Sequence, residues 1–376
     1  MDIYLYRYLG ESMFIFGIFI LVCITAVYLF MHSARFGAIP SDEQLRKIQL
    51  SPNYRNGQFQ NLSNTPALTE GTSYFKVLKE FLLDKTKNKI PAVTLPSVKT
   101  DLLNLDPDKN ILVWFGHSSY FMQIDRKTIL VDPVFSGNAS PLRFTTKSFK
   151  GSDIYTIDDF PAIDYLFITH DHWDHLDYKT VLHLKSKVRK VITGLGVGAH
   201  LESWRYDMNI VEEKDWNEKI ILDEGFIVNT IPARHFSGRG FKRNGSLWMS
   251  FIFTTPRKKI FIGGDSGYDK HFRETGNLFG PFDLAVLEDG QYDKNWKYIH
   301  MTPEETVQAC LDLQADKLLP VHWSKFSLSV HPWNDPIVRI EKEANRRHVN
   351  LLHPMIGQLV DLDLKQVFDK WWERIS

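Results

Sequence analysis

The tightest constraint on this chain is a place where an apolar run ends in a cluster of metal-binding side chains. Tyr165-Leu166-Phe167-Ile168 leads through Thr169 into His170-Asp171-His172-Trp173-Asp174-His175, then into Leu176-Asp177-Tyr178 and a helical pattern. A short apolar run of this kind reads as a buried strand. In extended backbone, residues two apart share a side, about 7 Å along the chain. His170, His172 and Asp174 therefore converge, and His175 joins them once the chain turns. Neutral imidazoles with a carboxylate suit zinc or a similar borderline divalent cation. A solvated histidine-rich loop is the bland alternative, and the strand signal directly before the cluster weighs against it.

The 376 residues fit one large domain or two small ones, and 43% hydrophobic content supplies a sizeable core. Lysine plus arginine balance aspartate plus glutamate, 45 against 45, so the basic excess usual for nucleic-acid binders is missing and no nucleic-acid partner is expected. Only Cys23 and Cys310 are present, far apart in sequence. They read as buried, inert thiols with no bridge between them.

No charge occurs between Glu11 and Arg35, and Met13 to Met31 is almost wholly apolar. About 20 helical residues cross a hydrocarbon core of about 30 Å. A cleaved signal peptide competes, but its apolar core is normally about 7–15 residues behind a positive start. The longer span, with Asp2, Arg7 and Glu11 before it, favours a retained single-pass anchor over residues 1–34. Arg35, Arg46 and Lys47 outnumber the positive charges ahead of the span and place the catalytic portion on the cytoplasmic side. Residues 35–100 read as a polar linker or extension. Within it Gly71–Asp84 has helical spacing, with Phe75, Leu78, Phe81 and Leu82 on one face. Packing of that face on the main domain is the ordinary reading; contact with a membrane surface is the other.

Residues 101–376 form the main domain. Strand signals occur at Ile111–Phe115, Tyr120–Ile124, Thr128–Val131, Tyr165–Thr169, Val191–Thr193, Phe226–Ile231, Trp248–Thr254, Lys259–Ile262, Leu284–Leu287 and Leu318–Val321, with a helix at Tyr178–Lys187. Strands in runs, then alternating with helices, predict an α/β protein with two inner sheets and outer helices. Three further residues stand at strand ends: His235 after Thr230–Arg234, Asp265 after Phe261–Gly264, and His322 after Leu318–Val321. Each alone is more often structural. Together they matter because the first cluster has too few ligands for two metals and too many for one open site.

At these residues the chain resembles the metallo-β-lactamase superfamily, and within it the branch of N-acylphosphatidylethanolamine-hydrolysing phospholipases D and their bacterial relatives. The likeness runs from about Asn110 to Gly357. It is carried by Trp114-Phe115-Gly116-His117, Val131-Asp132-Pro133, Ala139-Ser140-Pro141, the His170–His175 loop, Pro232-Ala233-Arg234-His235, Gly264-Asp265-Ser266-Gly267-Tyr268, Phe279–Ala285, His300 with Pro303-Glu304-Glu305, and Val321-His322-Trp323. The resemblance implies a four-layer αββα sandwich and two zinc ions. His170, His172 and His235 would hold one ion, Asp174, His175 and His322 the other, and Asp265 would bridge them. Asp132 would orient a ligand, and His117 reads equally well as a structural histidine. Asp174, Asp265 and His300 are the residues expected to carry catalysis.

His300 precedes Thr302-Pro303-Glu304-Glu305, which has the form of a capped helix start. The resemblance puts it in the active site, near phosphate or leaving oxygen; a surface histidine beside the cap is the alternative. Paired divalent ions lower the pKa of bound water toward about 7, so hydrolysis is the expected reaction class. With an anchor nearby, and with Trp173, Trp296, Trp323, Phe326 and Trp333 close to site residues, the expected substrate is a membrane phospholipid cleaved on the phosphatidic-acid side of its head group. A lactonase, another phosphodiesterase, a nuclease and a catalytically silent tethered module are the competitors.

Overall fold

The computed structural model describes residues 2–83 and 86–375. The chain begins with helix α1 (Asp2–Met31), α2 (Asp42–Gln49), a hairpin of β1 (Tyr54–Arg55) and β2 (Gln58–Phe59), and α3 (Tyr74–Leu83). Next come β3 (Ile111–Trp114), β4 (Tyr120–Ile124), β5 (Lys127–Val131), β6 (Ile163–Ile168), α4 (Tyr178–Leu184), β7 (Val188–Gly194), α5 (Gly198–Ser203) and β8 (Val211–Lys214). The second half runs β9 (Lys219–Asp223), β10 (Phe226–Pro232), β11 (Met249–Thr254), β12 (Lys259–Ile262), α6 (His271–Phe279), β13 (Leu284–Glu288), α7 (Pro303–Asp312), β14 (Lys317–Val321), α8 (Asp335–Arg347), β15 (Asn350–Leu351) and β16 (Leu359–Asp361).

Two seven-stranded sheets result, ordered β16-β3-β4-β5-β6-β7-β8 and β15-β14-β13-β12-β11-β10-β9. Each begins as an antiparallel meander and continues with parallel strands, β5 to β8 in one sheet and β12 to β15 in the other. Period-two alternation sorts the first sheet's side chains. Leu112, Trp114, Ile129, Val131, Tyr165 and Phe167 enter the core shared with the second sheet, while Ile111, Val113, Leu130, Leu166 and Ile168 pack with Leu176, Val181 and Leu184 on the other face. Phe167 meets Phe251 and Phe253 edge-on across the gap between sheets. Burial on both faces gives the αββα layering that the sequence predicts.

The stretch read as a polar linker is packed onto the domain. Ser41 and Gln44 form a capping box on α2, and Ile48 and Phe59 are buried in the main core. Asn61 pairs with both backbone polar groups of His235, and Val98 N–H donates to Ile356 O. The helix expected at 71–84 forms, with Asp84 and the side chain of Leu82 outside the described residues. Its apolar face packs only in part: Phe81 stacks on Trp296, while Phe75 and Leu78 are exposed. Cys310 is buried, which pushes its thiol up to about 12, but Cys23 is exposed on α1, against expectation. Within α1, Tyr6–Met31 has a mean hydropathy of 2.7 over its most apolar stretch and is long and apolar enough to cross a membrane.

Candidate metal centre and active site

The strands that hold the predicted donors end on one edge of the sandwich, because parallel strands of both sheets deliver their carboxyl ends there. β6 ends in the His170–His175 loop, β10 in His235, β12 in Asp265 and β14 in His322. All seven predicted donors are brought together there. His170 Nε2 lies 2.9 Å from His172 Nδ1, and His235 Nε2 lies 3.3 Å from that same Nδ1. His175 Nε2 is 3.5 Å from Asp174 Oδ2. Asp265 stands between these groups. Its Oδ2 is 3.2 Å from His175, 3.7 Å from His235 and 3.9 Å from His170, and its Oδ1 is 3.3 Å from His322 Nδ1.

This donor set fits cations better than it fits itself. Three ring nitrogens facing one another can share few protons, and His175 Nε2 is buried without a hydrogen bond. Burial also holds His170, His235 and His322 well below the ordinary histidine pKa, leaving the neutral rings that ligate metals. For His175 burial works the same way, but the carboxylates of Asp265, Asp174 and Asp132 outweigh it and raise the pKa well above normal.

Supporting groups hold these donors in place. Asp132 accepts from Thr169 N–H at 2.8 Å and from Thr169 Oγ1 at 2.6 Å, and its Oδ2 lies 2.7 Å from His175 Nδ1. That is the orienting role the resemblance implies for it. His117 is fully buried, with Nε2 2.8 Å from Asp174 Oδ2, so it belongs to the site's support. His117 N–H donates to Trp323 O, and His322 N–H donates to His117 O. His117, Asp132 and His322 all have left-handed backbone (φ 52°, 41° and 70°), a strained choice for non-glycine residues that tends to collect at functional sites. Gly264 lets β12 approach β11, since a Cβ there would sit 2.4 Å from Met249 O.

Asp171, inside the metal loop but turned away from the donors, was not singled out by sequence reasoning. It accepts from Gly238 N–H at 2.6 Å and Ser246 Oγ at 2.8 Å, and lies 3.1 Å from His200 Nε2. Arg239 adds hydrogen bonds to the carbonyls of Asp171 and Leu176, stacks on Trp173 and reaches Arg35 O. The metal loop is thus braced by the 237–246 segment and tied to the turn that follows α1.

His300 is not a surface histidine. It is buried at the edge of the cluster, its ring 5.0 Å from that of His235 and 5.1 Å from that of His322. The predicted cap forms, with Thr302 and Glu305 in a capping box and Pro303 opening α7. Sequence reasoning missed its partner. Glu288, at the end of β13, places Oε2 2.6 Å from His300 Nδ1, while its Oε1 accepts from Met301 N–H at 2.7 Å. Burial pushes Glu288 up to about 7, and the Glu288 carboxylate raises His300 against the opposing effect of burial. Its only visible signal was a glutamate closing an apolar strand.

Of the aromatic residues expected near the site, Trp323 and Trp333 are core, packed against rings such as Trp114 and Trp371, and Phe326 is buried edge-on against His117 at 5.3 Å. Trp173 and Trp296 are partly exposed, and Phe236 packs edge-on against His172 at 4.4 Å.

The family model described as a beta-lactamase superfamily domain matches residues 127–323. This chain belongs to the metallo-β-lactamase superfamily. An uncharacterised protein of Mycobacterium tuberculosis is 38% identical over 326 residues, covering 86% of this chain and 87% of the relative. The N-acyl-phosphatidylethanolamine-hydrolyzing phospholipase D 1 of Caenorhabditis elegans is 27% identical over 297 residues, covering 72% and 80%. Among solved structures, a metallo hydrolase from Ignicoccus hospitalis superposes with a TM-score of 0.52 at 19% identity, covering 67% of this chain and 97% of that one. The protein is a metal-dependent hydrolase of the superfamily, with relatives named as phospholipases of the N-acylphosphatidylethanolamine type.

Proposed function

We propose that this hydrolase is a membrane-anchored phosphodiesterase that uses two zinc or similar divalent ions to cleave a phospholipid, most plainly N-acylphosphatidylethanolamine, into phosphatidic acid and the free head group. The observation that carries the reading is the convergence of the seven donors beside a histidine backed by its own carboxylate. His170, His172 and His235 would hold one cation, Asp174, His175 and His322 the second, and Asp265 would face both. Two such cations lower the pKa of bound water and draw in the negative charge that builds on a phosphoryl oxygen.

The chain's own groups supply the rest. Asp132 fixes the ring of His175 and His117 fixes the carboxylate of Asp174, so neither donor must reorganise during turnover. As the water oxygen bonds to phosphorus, the P–O bond to the head group breaks, and His300 gives its Nε2 proton to the departing oxygen. The proton released by the attacking water restores it. Glu288 keeps the other ring nitrogen protonated and favours the charged ring that can donate. Phe236, against His172, offers apolar surface at the donors' edge for the lipid.

α1 supports the membrane part of the reading by its length and apolar exterior, and Arg35, Arg46 and Lys47 beyond it favour a cytoplasmic catalytic domain. The test is a substrate panel with the metal-loaded full chain: N-acylphosphatidylethanolamine, ordinary phospholipids, a lactone and a simple phosphodiester. Phosphatidic acid released from an N-acyl lipid is the expected result. Activity on the lactone or simple diester with none on any lipid overturns the assignment.

A further inference from the structure

The apolar face of α3 is only partly covered, although its spacing is that of a helix docked on a core: Phe81 stacks on Trp296, and the rest of the face is open. On the open part Tyr74, Phe75 and Leu78 are 62%, 77% and 56% exposed. The helix is held at one point: Asn295 Nδ2 donates to Glu80 at 2.6 Å, and Phe81 stacks on the neighbouring Trp296 at 6.3 Å. The turn at 294–296 leads directly into His300. A contiguous exposed apolar face of this kind marks an interaction surface.

We propose that α3 and the 238–243 loop form a bilayer-contact rim that sets the opening of the metal centre against lipid. The occupant is the head-group and upper acyl region of the bilayer that would hold α1. The inference rests on the proposed membrane anchoring, and three observations point to lipid. First, the rim is continuous with both the anchor and the site. The Arg243 guanidinium lies 6.0 Å from the ring centre of Tyr74 and 4.8 Å from that of Phe236, which touches His172. On the other side Gly240 faces the tip of Met31, the last residue of α1, and the neighbouring Phe241 is 90% exposed. Second, a cavity of about 450 Å³ lies where rim and anchor meet, lined by Met31, Phe36, Ile39 and Phe241 among others, a size suited to a small apolar ligand or part of an acyl chain. Third, Lys76, Lys79, Lys242 and Arg243 flank the apolar residues. Apolar side chains bordered by lysine and arginine are the composition of a surface that lies in an anionic interface.

The test is depth-dependent quenching in the full chain, reconstituted into vesicles of phosphatidylcholine and phosphatidylglycerol. A nitrobenzoxadiazole label is attached to Leu78→Cys or to Phe241→Cys, each in a Cys23→Ser background, and Cys310 is buried. Ile221→Cys, exposed on β9 near the end of the sandwich opposite the site, is the control. A label on native Cys23 reports whether α1 itself is in the bilayer. Labels at 78 and 241 shift to the blue and lose about half or more of their emission to nitroxide-bearing lipid, as interfacial positions do, while 221 does not respond. If 23 is quenched and 78 behaves like 221, the rim is refuted and the anchor stands. If 78 shifts without lipid quenching, a second copy or another protein covers it, and the proposal also falls. An unquenched label at 23 removes the anchor reading and the rim with it. No arm of the test depends on turnover, so loss of the proposed phospholipase activity leaves this result independent.

Discussion

Replacing Glu288 by glutamine tests whether His300 works as a proton donor set up by that carboxylate. The substitution conserves volume in a fully buried position and changes only charge and hydrogen-bond polarity. Met301 N–H donates to Oε1 at 2.7 Å, so the glutamine oxygen is claimed by the backbone and its amide NH₂ is turned toward His300 Nδ1. Nδ1 must then accept, which puts the proton of the neutral ring on Nε2 and removes the partner of the charged ring. A hydrogen bond to a charged group is worth about 1.5–3 kcal/mol. Without that partner, burial acts on His300 unopposed by the Glu288 charge and its pKa falls. With Glu288 present the raised pKa keeps the ring charged to higher pH; without it the charge is lost earlier. The alkaline limb of the kcat profile on the cleaved lipid should therefore move toward acid, with kcat on the acid side held within about tenfold. Metal content per chain should stay unchanged. An unmoved alkaline limb refutes the role given to His300. Loss of a metal equivalent refutes it differently, because Asp265, Glu288, His300 and His322 also approach one another closely enough to hold an ion.

Asp132→Asn leaves the buried Thr169 donors and His175 Nδ1 competing for one acceptor, and should weaken metal affinity about 10–100-fold in chelator competition; unchanged affinity would show that His175 needs no orienting acid. Acidification should strip the metals in order. Protons compete with cations for the imidazoles, and His175, raised by its three carboxylate neighbours, takes its proton at higher pH than His170, His235 and His322, which burial holds low. Metal analysis after equilibration at falling pH should show two release steps, and a single step would contradict the division of ligands. Gly264→Ala drives a Cβ to 2.4 Å from Met249 O and 3.0 Å from Thr169 Cβ, at an expected cost of about 1–3 kcal/mol in denaturant unfolding. Undiminished stability would mean that the strands can part there without penalty.

What could be read from sequence depended on whether a residue's meaning is carried by its chain neighbours. The His170–His175 loop was legible because period two and a preceding apolar strand place its side chains by local rules. Strands such as Tyr120–Ile124 and Lys317–Val321 were legible for the same reason, burial on both faces leaving continuous apolar runs. Strands β8 and β9 were missed because they are charged edge strands, with sequences VEEK and KIILD, and β15 and β16 because they are only 2 and 3 residues long. His235, Asp265 and His322 could be placed at strand ends but not at one point; the resemblance assembled them. Glu288 and Asp171 had no such help. Each is one carboxylate among 45 acidic residues, and its role comes from a partner elsewhere in the fold: His300 beyond a turn, or Gly238 and Ser246 on a distant loop. The same reasoning explains α3. Its helical period is a property of the segment and was correct, whereas the environment of its apolar face depends on what lies opposite. Spacing alone cannot tell a protein core from a lipid one, because both reward the same side chains for leaving water.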